Sequence, residues 1–327
     1  MTNKQKTGKI TIANIIAIVG LVLLLIFSFI GHSYKSGGEL GWDIIVSIGI
    51  TAFTAFLIWF LIKAKGAENR LDLWRKVEYG TLAVYVVFAI STSFWGGIMH
   101  FFVVNDHKES IKEYANEDLD KIDRMINEYK TYEEAAITRT GTGLKSATGV
   151  NQICDETLNK FMEARGIHHT QESAMNYERI QRNDLIGEGY NTFYSNFCQK
   201  KNEIENVVKS WSVIQIPMKA KLISDLGKSV QEDLNKLSNN ENLPVIESKY
   251  GQYTITSYQK SNFMVEGGIE SFKFRTALQN TSGFSLTALL VVLLIHALIL
   301  FNYIVAYRTS TLEISKHSEE DGGIILK

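Results

Sequence analysis

The stretch FSLTALLVVLLIHALILFNYIVAY (284–307) decides the fold class, because it is long enough to cross a bilayer and contains no Lys, Arg, Asp or Glu. Three earlier stretches share this character and also reach the roughly 20 residues that a spanning helix needs. They are ITIANIIAIVGLVLLLIFSFIG (about 10–31), WDIIVSIGITAFTAFLIWFLI (about 42–62) and TLAVYVVFAISTSFWGGIMHFFVV (81–104). The one acidic or basic residue among them, Asp43, lies at an end of its stretch.

These four stretches predict an all-α membrane protein with four transmembrane helices and a mainly helical extracytoplasmic bundle inserted between the third and fourth spans. The first stretch is interpreted as a permanent anchor, since its hydrophobic part exceeds the roughly 7 to 15 residues of the apolar region of a signal peptide and no small-x-small cleavage site follows it. The predicted boundaries are 1–9 for an N-terminal tail, 10–104 for three spans with short loops, 105–283 for the inserted domain, 284–307 for the fourth span and 308–327 for a C-terminal tail.

The distribution of positive charge predicts the orientation of the chain. The connection between the second and third spans contains Lys63, Lys65, Arg70, Arg75 and Lys76. The connection between the first and second spans offers only a single lysine. Because positively charged loops stay in the cytoplasm, both termini are predicted there and the inserted domain is predicted outside. The abundance of Lys, Asn and Ile is typical of an AT-rich genome. On this basis a bacterial protein in the inner membrane is favoured.

The inserted domain 105–283 has helical patterning and a weak negative charge. Its 26 Asp and Glu residues against 22 Lys and Arg give a net charge of −4, so nucleic acid is not an expected partner. Thr170 is a predicted N-cap and Pro217 is predicted in the first turn of a helix. The glycine-rich stretch RTGTGLKSATG (139–149) predicts a mobile turn rather than a helix, and a small β-hairpin is considered near 245–260.

The sequence contains no complete copy of the catalytic motifs considered below. LGKS (226–229) resembles the end of a phosphate-binding loop, but the glycine that should begin the motif is replaced by Leu222. Neither H-E-x-x-H nor G-x-S-x-G occurs. The adjacent His168 and His169 point to different sides and lack a second ligand cluster, which disfavours a metal site. The sequence therefore predicts a protein that is not an enzyme, with no cofactor and no metal.

Cys154 and Cys198 are the two cysteines of the chain, and both lie on apolar faces of predicted helices in the inserted domain. In an oxidising compartment they are candidates for a disulfide, which would stabilise the fold by roughly 3 to 4 kcal/mol. Two buried free thiols are the alternative. Either arrangement is structural, because no C-x-x-C motif or neighbouring base accompanies them.

Polar side chains in the spans predict an intramembrane seam and a packing ridge. Aligning the spans at their midpoints places hydroxyls level with the one imidazole of the fourth span, and such groups seek one another in hydrocarbon. The predicted seam consists of His296, Ser91, Thr92, Ser93, Thr51 and Thr54. Ser47, Thr51 and Ala55 form a ridge of small residues at four-residue spacing, which favours close contact with a neighbouring helix.

The function favoured by these patterns is a structural or assembly subunit of an envelope complex, which binds partners through the inserted helical domain. The expected partners are the lipid bilayer and other envelope proteins or further copies of the chain. A second interpretation is an extracytoplasmic sensor that signals through a separate cytoplasmic protein, since the tail 308–327 has no room for a transmitter domain. A third is an oligomeric channel with a pore lined by hydroxyls and His296.

Overall fold

The computed structural model describes residues 12–67, 71–94, 97–149, 156–168, 170–238, 246–247, 254–255 and 262–306. Its helices are α1 (Ile12–Ser36), α2 (Leu40–Lys65), α3 (Leu71–Phe94), α4 (Gly97–Asp106), α5 (Lys108–Gly149), α6 (Glu156–Ala164), α7 (Gln171–Ile186), α8 (Glu188–Ser210), α9 (Ile216–Leu237), α10 (Phe274–Asn280) and α11 (Leu286–Val305). A two-residue antiparallel pairing joins β1 (Ile246–Glu247) to β2 (Thr254–Ile255), within the range considered for a hairpin.

The chain divides into two compact units. The first unit comprises the chain as far as Ile111, the segment Val213–Met218 and everything from Arg275 onward. The second unit comprises Lys112–Ser212 and Lys219–Phe274.

The first unit contains the long apolar helices. Among the described residues, four helical stretches are long and apolar enough to cross a membrane: Ile12–Ser36, Leu40–Lys65, Asp72–Asp106 and Leu286–Val305. The helical class with four such helices is thereby confirmed, and it is the pattern of a membrane protein. The third stretch begins at Asp72, earlier than the predicted residue 81. The prediction missed these first turns because they mix charged with apolar side chains.

A shared apolar core holds the helices of the first unit together. Buried side chains from α1, α2, α3, α4 and α11 meet in one cluster, which includes Leu24, Leu61, Ala89, Ile98 and Ile295. Large apolar side chains on the opposite faces, such as Ile18, Phe56 and Leu290, are more than 45% exposed, as a lipid-facing surface requires.

Two glycines set the approach of α1 to α4. A Cβ built on Gly31 would lie 1.9 Å from the carbonyl oxygen of Gly97, so the two backbones touch with no room for a side chain. Such contact between glycines is a recurring way for spanning helices to pack closely. The turn from α1 to α2 also depends on glycine, because Gly37 and Gly38 have φ of 69° and 94°.

Helix α5 supplies the contacts that organise the second unit. The Tyr129 hydroxyl donates to the carbonyl of Leu185 at 2.7 Å, and the Ser238 hydroxyl donates to Glu133 at 2.8 Å. Each contact joins α5 to a different part of the unit, so α5 acts as its central element. The ring of Tyr129 also stacks on Tyr190. Burial raises the pKa of Tyr190 to about 12, which keeps that phenol neutral.

An ion-pair network joins α8 to α5. Lys201 lies 2.8 Å from Asp123, 3.6 Å from Asp120 and 3.9 Å from Glu205. Burial alone would lower the pKa of Lys201, but the hydrogen bond to Asp123 and the three carboxylates together raise it. The lysine therefore stays charged in the folded protein.

Asp118 forms a second anchor on α5. Its two carboxylate oxygens accept from the backbone N–H of Lys273 at 3.1 Å and of Phe274 at 2.8 Å. The carboxylate is fully buried, and Lys121 lies 3.6 Å from it. Asp118 thus holds a segment 155 residues further along the chain against α5.

The turn predicted over 139–149 is wrong, because α5 continues to Gly149. The cause is tertiary packing, which overrides the low helix propensity of glycine. Gly141 lets α7 approach, since a Cβ there would lie 2.5 Å from the carboxylate of Glu178, and Glu178 in turn pairs with Lys145 at 2.7 Å. Leu144 is fully buried on the same stretch.

The predicted local signals at Thr170 and Pro217 are confirmed. The Thr170 side chain accepts from the backbone N–H of Ser173 at 3.2 Å and so caps α7. Pro217 lies in the first turn of α9, where its missing N–H has no helical partner to lose. Both signals depend on backbone chemistry within one turn, which explains why they could be inferred from the sequence.

Candidate functional site

A buried polar cluster in the first unit surrounds His296, in the middle of α11. Its Nδ1 lies 2.8 Å from the Tyr85 hydroxyl and its Nε2 lies 3.0 Å from the Ser93 hydroxyl, both on α3. Tyr85, Ser93 and His296 are all buried. A neutral imidazole has one donor and one acceptor nitrogen, so the two hydroxyls satisfy both.

A second polar contact joins the same two helices seven residues away. The Tyr303 hydroxyl donates to Glu78 at 2.6 Å, and Glu78 is buried. Glu78 and Tyr85 are seven residues apart on α3, as are His296 and Tyr303 on α11. The two contacts therefore form two levels about 10.5 Å apart along a pair of antiparallel helices. We call these the α3–α11 ties.

Comparison with known proteins gives this chain no family. No protein-family model, no curated protein and no solved structure matches it. The function must therefore be inferred from the residues themselves.

The structure brings some of the predicted seam together and separates the rest. His296 contacts Ser93, whereas three other hydroxyls donate to carbonyls of their own helix. These bonds run from Ser91 to Val87, from Thr92 to Phe88 and from Thr51 to Ser47. Such a bond within the helix satisfies a hydroxyl without any partner helix. Thr54 is buried, and Ser91 is exposed.

The residues of the predicted ridge on α2 differ in exposure. Ser47 is fully buried and donates to the carbonyl of Asp43 at 2.6 Å. Thr51 and Ala55 are half-buried. Small side chains at these positions accompany the packing of α2 against α1 and α3.

Sequence reasoning missed Tyr85, Glu78 and Tyr303. Tyr85 lies inside the third apolar stretch, and Glu78 lies before the predicted start of that span. The signal that could have found them is the shared seven-residue spacing, which places Glu78 and Tyr85 on one face of α3 and His296 and Tyr303 on one face of α11.

The candidate disulfide is not resolved by the described residues. Cys198 is a half-buried free thiol on α8, and Cys154 lies outside the described part of the chain. The Tyr194 hydroxyl forms a hydrogen bond with the Cys198 thiol, and this hydrogen bond raises the pKa of Tyr194. The pairing of the two cysteines stays a prediction.

The second unit has an open cleft of about 820 Å³ beside α7. Its lining includes His168, Glu172, Glu178, Arg179 and Arg182, so it carries charges of both signs. Within the parts of the chain that the structure describes, no group of three His, Cys, Asp or Glu side chains is placed to hold a metal. His169, the neighbour considered with His168, is outside those parts.

The chemistry available at His296 is hydrogen bonding between helices. Apolar side chains, including Leu82, Ala89, Ile295 and Ile299, lie between and around the two levels of the α3–α11 ties. No carboxylate contacts the imidazole in the described structure, and about 10.5 Å of helix separates it from the level of Glu78. The arrangement is suited to fixing the position of α3 relative to α11.

Replacing His296 by leucine is expected to destabilise the first unit by about 1 to 2 kcal/mol, because the Tyr85 and Ser93 hydroxyls both lose their partner. The measurement is thermal or denaturant unfolding of the purified protein in mild detergent. The matched control is Ser91→Ala, which removes an exposed hydroxyl bonded only within its helix and should change stability by less than about 0.5 kcal/mol. Equal effects of the two variants would contradict this role for His296.

Proposed function

We propose that this protein is a non-enzymatic structural or assembly subunit of a bacterial envelope complex. Four spanning helices anchor it in the inner membrane, and the second unit presents a helical surface to partner proteins outside the cytoplasm. The observation that carries the proposal is the pair of α3–α11 ties, made by Tyr85, Ser93 and His296 at one level and by Glu78 and Tyr303 at the other.

The ties favour an anchor over a sensor that works by sliding its helices. Moving α11 along α3 by one helical turn shifts it by about 5.4 Å, which would separate the partners of every one of these hydrogen bonds beyond bonding distance. Breaking them leaves buried polar groups unpaired in the spans. In sequence, α3 precedes the second unit and α11 follows it. Fixing α3 against α11 therefore favours a protein that acts as a rigid support.

The surface of the second unit supports a polar contact with partners. Among its described residues, only Met175, Ile180 and Met264 are large apolar side chains with high exposure. Charged pairs such as Arg124 with Glu266 and Lys273 with Glu117 lie on the exposed surface. Interfaces between proteins that also exist separately are polar at the rim and are only partly apolar.

Basic residues at one end of the spans support the proposed orientation. Lys65 donates to the carbonyls of Tyr303 and Ile304 at the end of α11, and the Lys63 ammonium lies 5.1 Å from the ring of Trp59. Tryptophan is typical of both membrane interfaces, and an excess of lysine is typical of the cytoplasmic one. With this end inside, the second unit lies outside.

The proposal predicts that the full-length protein co-purifies with defined partner proteins. The test is extraction of native membranes in a mild detergent, followed by mass measurement of the intact complex and identification of its subunits. Stable, stoichiometric envelope proteins are expected. A matched pair of charge-reversal variants, Lys236→Glu on the exposed surface and Lys201→Glu in the ion-pair network between α5 and α8, separates loss of partner contact from loss of folding. Recovery of a homodimer that binds a small ligand and no other protein would contradict the proposal in favour of a sensor.

A further inference from the structure

Asp43 is a buried carboxylate for which the described part of the chain supplies no counter-charge. It lies in the first turn of α2 and is 1% exposed. Its Oδ2 accepts from the Ser36 hydroxyl at 2.9 Å, whereas its Oδ1 makes no hydrogen bond within the described structure.

The charged residues around Asp43 do not neutralise it. Glu39 carries the same charge as Asp43, and Arg275 pairs with Glu39 at 3.3 Å. Lys35 lies on the exposed side of α1. In the described part of the chain, Asp43 forms no ion pair. An unpaired buried carboxylate is costly in a spanning segment, so a buried Asp in such a position either takes up a proton or binds a positively charged ligand.

Oxygen atoms of α1 complete the surroundings of this carboxylate. The Ser36 hydroxyl oxygen lies 2.9 Å from Asp43 and 3.2 Å from the carbonyl of Ser33, so it lies between the two. It also accepts from the backbone N–H of Glu39 at 3.0 Å. The Ser33 hydroxyl is 3% exposed and has no hydrogen-bond partner in the described structure. Two buried oxygens thus lack hydrogen-bond partners in the described structure: the hydroxyl oxygen of Ser33 near the end of α1 and Oδ1 of Asp43 in the first turn of α2.

These ligand types fit a small, hard, monovalent cation. Carboxylate, hydroxyl and carbonyl oxygens are the donors that hard cations prefer. The carbonyl of Ser33 is at the C-terminal end of α1, where the helix dipole is negative, and it keeps a second lone pair for a cation beside the backbone N–H of Gly38, from which it accepts at 3.0 Å. Helix C-terminal carbonyls form sodium sites in other membrane proteins. A single carboxylate balances one positive charge and leaves the site neutral.

We propose that Asp43 and Ser36, with the carbonyl and hydroxyl oxygens of Ser33, form a binding site for Na⁺ at the end of the first unit where α1 gives way to α2. The site holds the ends of α1 and α2 together through the ion. This inference is independent of the proposed assembly function, because it concerns only contacts within the first unit.

Direct measurement of ²²Na⁺ binding tests the proposal. The full-length protein in mild detergent at pH 8 is expected to bind one Na⁺ per chain, with little competition from K⁺ or choline. Asp43→Asn should abolish binding, and Asp72→Asn, which changes an exposed aspartate at the start of α3, should leave it intact. Absence of saturable ²²Na⁺ binding by the unaltered protein overturns the proposal, as does full binding by Asp43→Asn.

Thermal unfolding provides the second measurement. The melting temperature should rise in a saturable way when NaCl replaces choline chloride at constant ionic strength, because a ligand stabilises the state that binds it. Ser36→Ala keeps the carboxylate and is expected to raise the half-saturating Na⁺ concentration about tenfold, which corresponds to about 1.4 kcal/mol. If Asp43→Asn does not fold, Ser36→Ala tests the sodium site in its place, and an unchanged half-saturating Na⁺ concentration in this variant overturns the proposal. A melting temperature that depends on pH through Asp43 and not on Na⁺ would mean that a proton fills this role, and it would overturn the sodium site.

Discussion

Replacing Gly31 by alanine is expected to destabilise the first unit by about 3 kcal/mol or more, at the upper end of the cost of overpacking a core. The added Cβ would lie 1.9 Å from the carbonyl oxygen of Gly97 and 2.0 Å from its carbonyl carbon. Both are backbone atoms, so no side-chain rotation can relieve the contact. Helix α1 must instead move away from α4, which disturbs the core cluster that includes Leu24 and Ile98.

The measurement is the melting temperature of the detergent-purified variant together with its elution as a single species. Gly49→Ala and Gly80→Ala are matched controls, since both glycines lie in spanning helices and a Cβ on either meets nothing within 4 Å. The controls should equal or slightly exceed the unaltered protein, because alanine favours helix more than glycine does. A Gly31→Ala protein as stable as these controls would show that α1 and α4 do not touch at this point.

Replacing Asp118 by alanine is expected to destabilise the second unit by about 2 to 4 kcal/mol, because two buried backbone N–H groups lose their acceptor. These donors belong to Lys273 and Phe274. Asp118→Asn should recover only part of the loss, since an amide offers one oxygen and turns its NH₂ group toward the second donor. The control is Asp120→Ala, on the same helix but 65% exposed. Hydrogen exchange at Lys273 and Phe274 reports the effect locally, and unchanged protection in Asp118→Ala would contradict it.

The pH dependence of the same site follows from its burial. Burial raises the pKa of Asp118 above its ordinary value of 3.8, and the hydrogen bonds from Phe274 and Lys273 and the charge of Lys121 only partly oppose this. A raised pKa in the folded state gives stability that is complete below pH 3.8 and is lost as the pH rises through the folded pKa. The stability difference between the unaltered protein and Asp118→Asn should therefore be larger near pH 3.5 than at pH 7.

The spanning helices could be predicted from the sequence because their signal is local and compositional. Twenty apolar residues without an interior charge have few alternatives in water or in lipid. The capping role of Thr170 was accessible for a similar reason, since its partner Ser173 is three residues away. Features that depend on neighbours within one turn need no knowledge of the tertiary structure.

The features that sequence reasoning missed depend on distant neighbours. The helix through 139–149 depends on packing of Gly141 against Glu178, which no local propensity reveals. Asp43 was treated as an end residue, but its burial depends on how α1 packs beside α2. The hydroxyl of Tyr85 is hydrogen-bonded to a residue 211 positions away, so its polar role could not be distinguished from simple packing.

The contacts of α5 set an order of events during synthesis of the chain. The hydrogen bond between Glu133 and Ser238 can form only after 105 further residues have been synthesised. The hydrogen bond between Asp118 and Phe274 needs 156 further residues. Phe274 leaves the ribosome about a dozen residues before the start of α11, the last spanning helix. Contacts of such long sequence separation form slowly, and domains generally fold as their chains emerge. Completion of the second unit and insertion of the fourth span therefore fall close together in time, and until then the nascent protein is held in the membrane by its first three spans alone.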